Sequence, residues 1–223
     1  MNPIVIANPQ NSCKNCAMLQ GPENGVILLT SAGFFNKEIT DSFTSNIHNI
    51  SEKSAVIVTT AAKDKEENQY SKLAKKQLEA MGFARVDFVD LEAEGSDSIA
   101  HYDVVYVCGG NTFKLLSFAR SSDFKTKVLE VLSKGGCYVG VSAGSLIVGP
   151  SVQIANEVVP DKNDINLKDF SGLAITDVTV FPHYELLNES EIQAFELKHS
   201  VKIVRLANEQ ALLITDGSKK LIG

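Results

Sequence analysis

Residues 135–145 read GGCYVGVSAGS and combine a short apolar run with a serine flanked by glycines. The apolar residues 137–141 predict a buried strand, and residues 143–148 are compatible with a helix. Gly140, Ser142 and Gly144 have the G-x-S-x-G spacing of a nucleophile elbow, in which a serine hydroxyl projects from a tight strand-to-helix turn. Ser142 is therefore a candidate nucleophile. The same spacing also occurs in a plain glycine-rich turn after a buried strand.

Four other apolar runs precede this segment and are separated by sequences of helical periodicity. They predict strands at 26–30, 55–59, 86–89 and 104–107, with helices near 36–50, 65–81, 112–118 and 123–132. Continuously apolar strands separated by helices are typical of a parallel sheet covered on both faces. We therefore predict an α/β fold with a mainly parallel central sheet flanked by helices.

The alternation of apolar strands with helical segments ends after Pro150. We expect strand and loop segments at 151–159 and 173–181, a helix at 188–199, and a closing C-terminal β-hairpin of residues 201–206 with 211–214. The loop around Gly109 and Gly110 and the elbow both follow predicted strands. Because ligands gather at the carboxyl ends of parallel strands, the two loops are expected to be neighbours.

The composition narrows the class of protein. A chain of 223 residues with 44% hydrophobic and 22% charged residues suits one large globular domain. No apolar run approaches the roughly 20 residues of a membrane-spanning helix. A net charge of -6 argues against a nucleic-acid surface, which normally needs a basic patch. We expect a small peptide or another small molecule as partner, and neither nucleic acid nor membrane.

Residues 1–24 lack the charged start and long apolar core of a signal peptide, so we expect a cytoplasmic protein. We interpret them as a flexible leader or an expression-derived extension, followed by a single domain at 25–223. Cys13 and Cys16 form a C-x-x-C, but no second pair or nearby histidine completes a metal site. We predict no cofactor and no metal.

A serine nucleophile needs a base, usually histidine, and the chain has four histidines. His183 directly follows the apolar run 175–180 and Pro182, which places it at a predicted strand end. His48 and His199 fall in predicted helices, and His101 lies in a short loop. His183 is the candidate base.

Three motifs in order connect these residues to a known family. They are YVCGGNTFKLL at 106–116, GVSAGS at 140–145 with Pro150 beyond it, and FPHY at 181–184. Together they resemble the peptidase E family of serine peptidases, whose best-known members are α-aspartyl dipeptidases and whose more distant relatives are cyanophycinases. The resemblance runs from about residue 25 to the C-terminus. With it we expect a flavodoxin-like or class-I glutamine-amidotransferase-like fold.

The resemblance implies that Ser142 is the nucleophile, that His183 is the base, and that Glu157 occupies the acidic position where many members have aspartate. The result would be a Ser-His-Glu triad. Asp161, Asp164 and Glu185 are rivals for the acidic position. The resemblance also points to the backbone amides of Gly110 and Ala143 as the oxyanion hole. Further residues expected beside the substrate are Gly109, Asn111 and Tyr184.

Other residues of these motifs have simpler roles. Asn111 and Thr112 also fit a helix cap. Cys108 replaces the first of the family's usual three glycines, and we interpret it as a buried apolar residue.

The resemblance implies a serine exopeptidase for short peptides, including dipeptides that begin with aspartate. Recognition of an aspartate side chain requires a cation, and none of the three arginines, Arg85, Arg120 and Arg205, lies in the loop around His183. The candidates from elsewhere in the chain are Lys162 and Arg205. Two alternatives stay open: a catalytically silent binding protein on this fold, and an α/β-hydrolase-type esterase, whose Ser, Glu, His order also fits. A homodimer is compatible with the sequence, although no single stretch establishes one.

Overall fold

The computed structural model describes residues 25–216 and 218–223, and most of its strands form one seven-stranded sheet. These strands are β1 (Val26–Thr30), β2 (Ser54–Val58), β3 (Arg85–Val89), β4 (Val104–Val107), β5 (Cys137–Val141), β8 (Ala211–Thr215) and β9 (Ser218–Ile222). Their order is β3-β2-β4-β5-β1-β8-β9. Strands β1 to β5 pair in parallel, and β8 and β9 add antiparallel. The predicted mainly parallel sheet is confirmed.

Helices cover both faces of the sheet. They are α1 (Lys37–Thr44), α2 (Gln69–Ala80), α3 (Thr112–Ser121), α4 (Phe124–Ser133), α5 (Ala143–Ile147), α6 (Ile154–Glu157) and α7 (Glu189–His199). Helices α1 and α2 pack into one apolar core, and α3 to α7 contribute to the other. Residues 26–29 of β1 alternate between the two cores, which is why this strand is continuously apolar. None of the helices in the described residues combines the length and apolar character needed to cross a bilayer.

The C-terminal strands pair differently from the prediction. The expected hairpin of 201–206 with 211–214 does not form, because β7 (Ile203–Leu206) pairs in parallel with β6 (Thr179–Pro182) in a separate two-stranded sheet. Strand β8 instead adds to β1, where it buries Leu212 and Ile214. The C-terminal hairpin consists of β8 and β9. In the sequence, Asp-Gly at 216–217, a dipeptide typical of two-residue hairpin turns, separates these strands.

Residues 151–159, predicted as strand and loop, contain the one-turn helix α6. The hydroxyl of Ser151 accepts a hydrogen bond from the amide of Gln153 at 3.0 Å, a local turn that leads into the helix. Ile154 and Val158, four residues apart, are both buried, as one face of a helical turn requires. This turn decides where Glu157 points.

Candidate active site

Ser142 lies between β5 and α5 with φ 51° and ψ -108°, a backbone conformation that is strained for a residue with a Cβ. The glycines of the motif allow the backbone of α5 to pack directly against strands β4 and β5. A Cβ at Gly140 would lie 2.7 Å from the carbonyl oxygen of Gly144, and one at Gly144 would lie 3.0 Å from the Cβ of Val107. The G-x-S-x-G spacing therefore reflects backbone contact between the helix and strands β4 and β5.

Buried hydrogen bonds hold the elbow in place. The hydroxyl oxygen of Ser145 accepts from the Thr30 amide at 2.9 Å and lies 2.8 Å from the carbonyl oxygens of Thr30 and Gly140. Tyr138 donates its hydroxyl to the carbonyl of Gly144 at 2.7 Å. A strained residue persists only where its surroundings fix it, and these bonds do so for Ser142.

His183 stands directly opposite the serine, with Nε2 3.0 Å from the Oγ of Ser142. It follows β6 and has a left-handed backbone with φ 57°. The amide of His183 donates to the hydroxyl of Ser31 at 3.0 Å, and that hydroxyl donates to the carbonyl of Leu206 at 2.7 Å. The structure therefore brings the two predicted residues together across 41 positions of sequence.

Asn208 contacts the other nitrogen of the imidazole, its Oδ1 lying 2.7 Å from Nδ1 of His183. Parallel pairing aligns Pro182 with Leu206, so the residues after β6 and β7 emerge side by side. An amide oxygen at Nδ1 favours the tautomer with a proton on Nδ1, which leaves Nε2 free to accept the serine proton. Asn208 has no motif of its own and was not predicted; it follows from the pairing of β6 with β7.

Glu157 does not lie beside His183, so the arrangement expected of a Ser-His-Glu triad is absent. Its carboxylate accepts hydrogen bonds from Lys198 Nζ at 2.9 Å and Gln153 Nε2 at 2.6 Å, and lies 3.0 Å from Nε2 of His199. The hydrogen bonds from Lys198 and then His199 lower the pKa of Glu157 to about 2. The turn of α6 directs Ile154 and Val158 toward the serine and Glu157 toward the end of α7.

The three rivals for the acidic position also have other partners. Asp161 accepts a hydrogen bond from the Thr112 amide at 3.0 Å, and Asp164 pairs with Lys162 at 3.1 Å. Glu185 precedes the short helical turn Leu186–Asn188, and its amide donates to Oδ1 of Asn188 at 3.1 Å. The position next to Nδ1 of His183 is thus occupied by a neutral amide and not by a carboxylate.

The loop after β4 approaches the serine through its glycines. A Cβ at Gly109 would lie 3.1 Å from the Cβ of Ser142, and Gly110 has φ 139°, a conformation that side chains rarely adopt. The amide of Ser142 itself donates to the carbonyl of Thr30 at 2.9 Å. Within residues 25–216 and 218–223, the amides of Gly110 and Ala143 have no protein acceptor. No hydrogen bond within the described residues therefore occupies the two amides that the resemblance assigns to the oxyanion hole.

Neighbouring residues of the motif have structural roles. Asn111 accepts from the Lys114 amide at 2.8 Å, capping α3, and donates to the carbonyl of Lys162 at 2.7 Å. Cys108 is buried, and burial raises the pKa of its thiol to about 11, so it is a thiol and not a thiolate at neutral pH. Tyr184, the residue after His183, is partly buried against the apolar core.

A cavity of about 400 Å³ opens beside Ser142 and His183. Its walls are mainly apolar, and the two acidic residues that line it are Asp161 and Glu185. No lysine or arginine of the described residues lines it. The apolar wall is formed by Leu146, Ile154, Ala155, Val158, Val159, Phe181 and Leu187.

The three arginines and Lys162 form ion pairs outside the cavity. Arg205 makes ion pairs with Glu189 at 3.0 Å and with Glu196 at 2.7 Å. Arg120 pairs with Asp169 at 3.2 Å, and Arg85 pairs with Asp87. Lys162 is engaged by Asp164. Neither Lys162 nor Arg205 is part of the cavity.

Acidic, histidine and cysteine side chains are the usual protein ligands of a metal ion. Within the part of the chain that the structure describes, no group of three or more such side chains is arranged to hold a metal ion. Cys13 and Cys16 lie outside the described residues.

The chain is similar to known peptidases over most of its length. The sequence model of peptidase family S51 matches residues 26–222. An uncharacterised peptidase of Listeria innocua is 29% identical over 187 residues, which cover 81% of this chain and 89% of that protein. Peptidase E of Nostoc is 27% identical over 181 residues, covering 77% of this chain and 73% of that protein.

Solved structures show the same fold. The crystal structure of a candidate peptidase E protein from Listeria monocytogenes EGD-e matches with a TM-score of 0.72 and 26% identity, covering 88% of this chain and 97% of that one. A peptidase from an acI-B1 actinobacterium has a TM-score of 0.63 at 18% identity, covering 92% of this chain and 89% of that one. The latter likeness concerns the fold alone.

Proposed function

Because the chain belongs to peptidase family S51, we propose that it is a serine exopeptidase that hydrolyses short peptides with Ser142 as nucleophile and His183 as general base. One observation carries the proposal: Oγ of Ser142, in a strained elbow, lies 3.0 Å from Nε2 of His183. That distance is within the range for proton transfer between a nucleophile and its base. The resemblance to peptidase E that the three motifs indicated is confirmed by the family match.

The proposed reaction has two halves. Oγ of Ser142 attacks the scissile carbonyl carbon while its proton passes to Nε2 of His183, and the carbonyl oxygen becomes an oxyanion held by the amides of Gly110 and Ala143. Collapse of this intermediate breaks the peptide bond, and His183 gives its proton to the leaving amine. Water then hydrolyses the acyl-enzyme by the same steps, restoring the free serine.

In this proposal Asn208 is a positioning residue that takes the place expected for an acidic side chain. It fixes the imidazole tautomer through Nδ1 but adds no full negative charge beside the imidazolium. We expect Asn208→Ala to lower kcat by about 10-fold to 1000-fold, since the imidazole loses its orienting partner. Asn208→Asp should retain activity and move the acidic limb of the pH profile upward, because a carboxylate favours the imidazolium.

Glu157→Gln is the matched control for Asn208. The carboxylate of Glu157 binds Lys198 and His199 at the end of α7, so we expect kcat to change less than about 2-fold. Steady-state rates and pH profiles of the three variants check this assignment. The assignment would be contradicted by an Asn208→Ala enzyme with the wild-type kcat and pH profile together with an inactive Glu157→Gln enzyme. That result would show that Glu157, and not Asn208, supports His183.

A panel of dipeptides that differ in the first residue tests the proposed function itself. We expect the wild type to cleave some of them to free amino acids, detected by mass spectrometry. The proposal does not extend to aspartate as the required first residue, because the cavity supplies no basic side chain among the described residues. A folded wild type that cleaves no member of the panel would favour the catalytically silent binding protein.

A further inference from the structure

We propose that the cavity recognises the free α-ammonium group of a peptide through the carboxylate of Asp161, and that it prefers an apolar first residue to an acidic one. The inference rests on the proposed function, since it takes the cavity beside Ser142 as the substrate site. It differs from the substrate that the resemblance implied, a dipeptide beginning with aspartate. Three features of the cavity support it.

The first feature is the placement of Asp161. Its amide donates to the carbonyl of Ala155 at 2.9 Å, and its Oδ2 accepts from the Thr112 amide at 3.0 Å. The first bond holds the backbone of Asp161 against α6, and the second holds its carboxylate at the start of α3. Among the described residues, Asp161 forms no ion pair. A half-buried carboxylate without a cationic partner favours a cation in the ligand.

The second feature is the distance between this carboxylate and the proposed oxyanion donors. Gly110 and Thr112 are two residues apart, so their amide nitrogens lie within about 7 Å of each other. Oδ2 of Asp161 is hydrogen-bonded to the second of these and therefore lies within about 10 Å of the Gly110 amide. The carbonyl oxygen and ammonium group of one amino-acid residue, each with its hydrogen bond, span about 9 Å. The first residue of a peptide is of the size needed to span a separation of at most about 10 Å, and each added residue would lengthen the span by about 3.5 Å.

The third feature is the character of the wall that would surround the first side chain. Leu146, Ile154 and Val158 are buried apolar residues that line the cavity. The second acidic residue of the lining, Glu185, is exposed to solvent at the start of the turn Leu186–Asn188. A carboxylate side chain placed here would lose water and gain no cation, whereas an apolar side chain would gain buried contact.

The experiment compares Leu-Ala, N-acetyl-Leu-Ala and Asp-Ala as substrates. For the wild type we expect kcat/KM for Leu-Ala to exceed that for N-acetyl-Leu-Ala by about 100-fold, the size expected for a charged hydrogen bond. It should also exceed that for Asp-Ala, whose side-chain carboxylate loses water in the cavity and gains no cation. Asp161→Asn keeps an acceptor for the Thr112 amide but loses the charge. It should lower the ratio of free to acetylated substrate by about 10-fold to 100-fold, mainly through KM. Asp161→Glu, which keeps the charge, should retain more of the ratio.

Asp164→Asn is the matched control, because Asp164 lies in the same loop, pairs with Lys162, and is not part of the cavity. It should keep the wild-type ratio. The inference is overturned if Asp161→Asn keeps that ratio as well, or if Asp-Ala is the best of the three substrates. Both results leave the proposed function standing, provided that hydrolysis still depends on Ser142. Absence of hydrolysis with every dipeptide would instead contradict the proposed function.

Discussion

Ser142→Ala is expected to lower kcat/KM for peptide hydrolysis by at least about 10⁴-fold, the largest effect of any single change, because it removes the attacking oxygen. Alanine leaves the backbone bond from residue 142 to the carbonyl of Thr30 in place, so the elbow should keep its shape. Combining it with His183→Ala should cause little further loss, since nucleophile and base act as a unit. Initial rates with the best dipeptide measure the effect.

Ser133→Ala is the control for Ser142→Ala. Ser133 is exposed at the end of α4, and its hydroxyl donates to the carbonyl of Glu130 at 2.9 Å. This variant should keep the wild-type rate. A Ser142→Ala enzyme that retains more than about a tenth of the wild-type kcat would show that another group attacks the peptide.

Gly110→Ala is expected to have the second-largest effect, a loss of at least about 100-fold in kcat, the size seen when one oxyanion donor is removed. A Cβ at position 110 would lie 2.9 Å from the amide nitrogen of Ala62 and would overlap the carbonyl of Ala61. The φ of 139° is also unfavourable for alanine. The loop must move to relieve both, which carries the Gly110 amide away from Ser142. Rates and thermal unfolding of the variant measure the two consequences.

Gly95→Ala is the control for Gly110→Ala, because it introduces the backbone strain of alanine at a positive φ without the steric overlap. Gly95 also has a positive φ, 72°, but a Cβ there would meet no atom within 4 Å. We expect it to cost about 1 kcal/mol of stability with no change in kcat. If Gly110→Ala behaves like Gly95→Ala, the amide of Gly110 does not stabilise the oxyanion.

The parallel half of the fold could be predicted because each of its elements is encoded locally. Strands β1 and β5 are continuously apolar, since alternate residues face two separate cores. The elbow could be recognised in the sequence because close packing of α5 requires glycine at positions 140 and 144. The spacing of these glycines also singled out Ser142. His183 could be predicted because, of the four histidines in the chain, it is the one that directly follows an apolar run and so lies at a predicted strand end.

The C-terminal third depends on pairings between strands that are far apart in sequence. The assumption that neighbouring runs form a hairpin paired 201–206 with 211–214, whereas β7 pairs with β6 and β8 adds to β1. Because of this wrong pairing, Asn208 could not be predicted as a neighbour of His183. The two residues are in contact because β6 and β7 run in parallel and end side by side.

Glu157 lies away from His183 for a different reason. The resemblance implies the position of the acidic residue in the sequence but not the direction of its side chain. One turn of helix at 154–157 turns that carboxylate toward Lys198 and His199. Helix formation over four residues is decided by packing of Ile154 and Val158, and the sequence alone gave little sign of it.

Covalent labelling with a fluorophosphonate tests the central claim, that Ser142 is the activated nucleophile, most directly. Such reagents modify a serine that a neighbouring base activates. We predict one label per chain on the wild type, located at Ser142 by peptide mapping, and none on His183→Ala. A label at another residue, or no label on an enzyme that still hydrolyses peptides, would contradict the account.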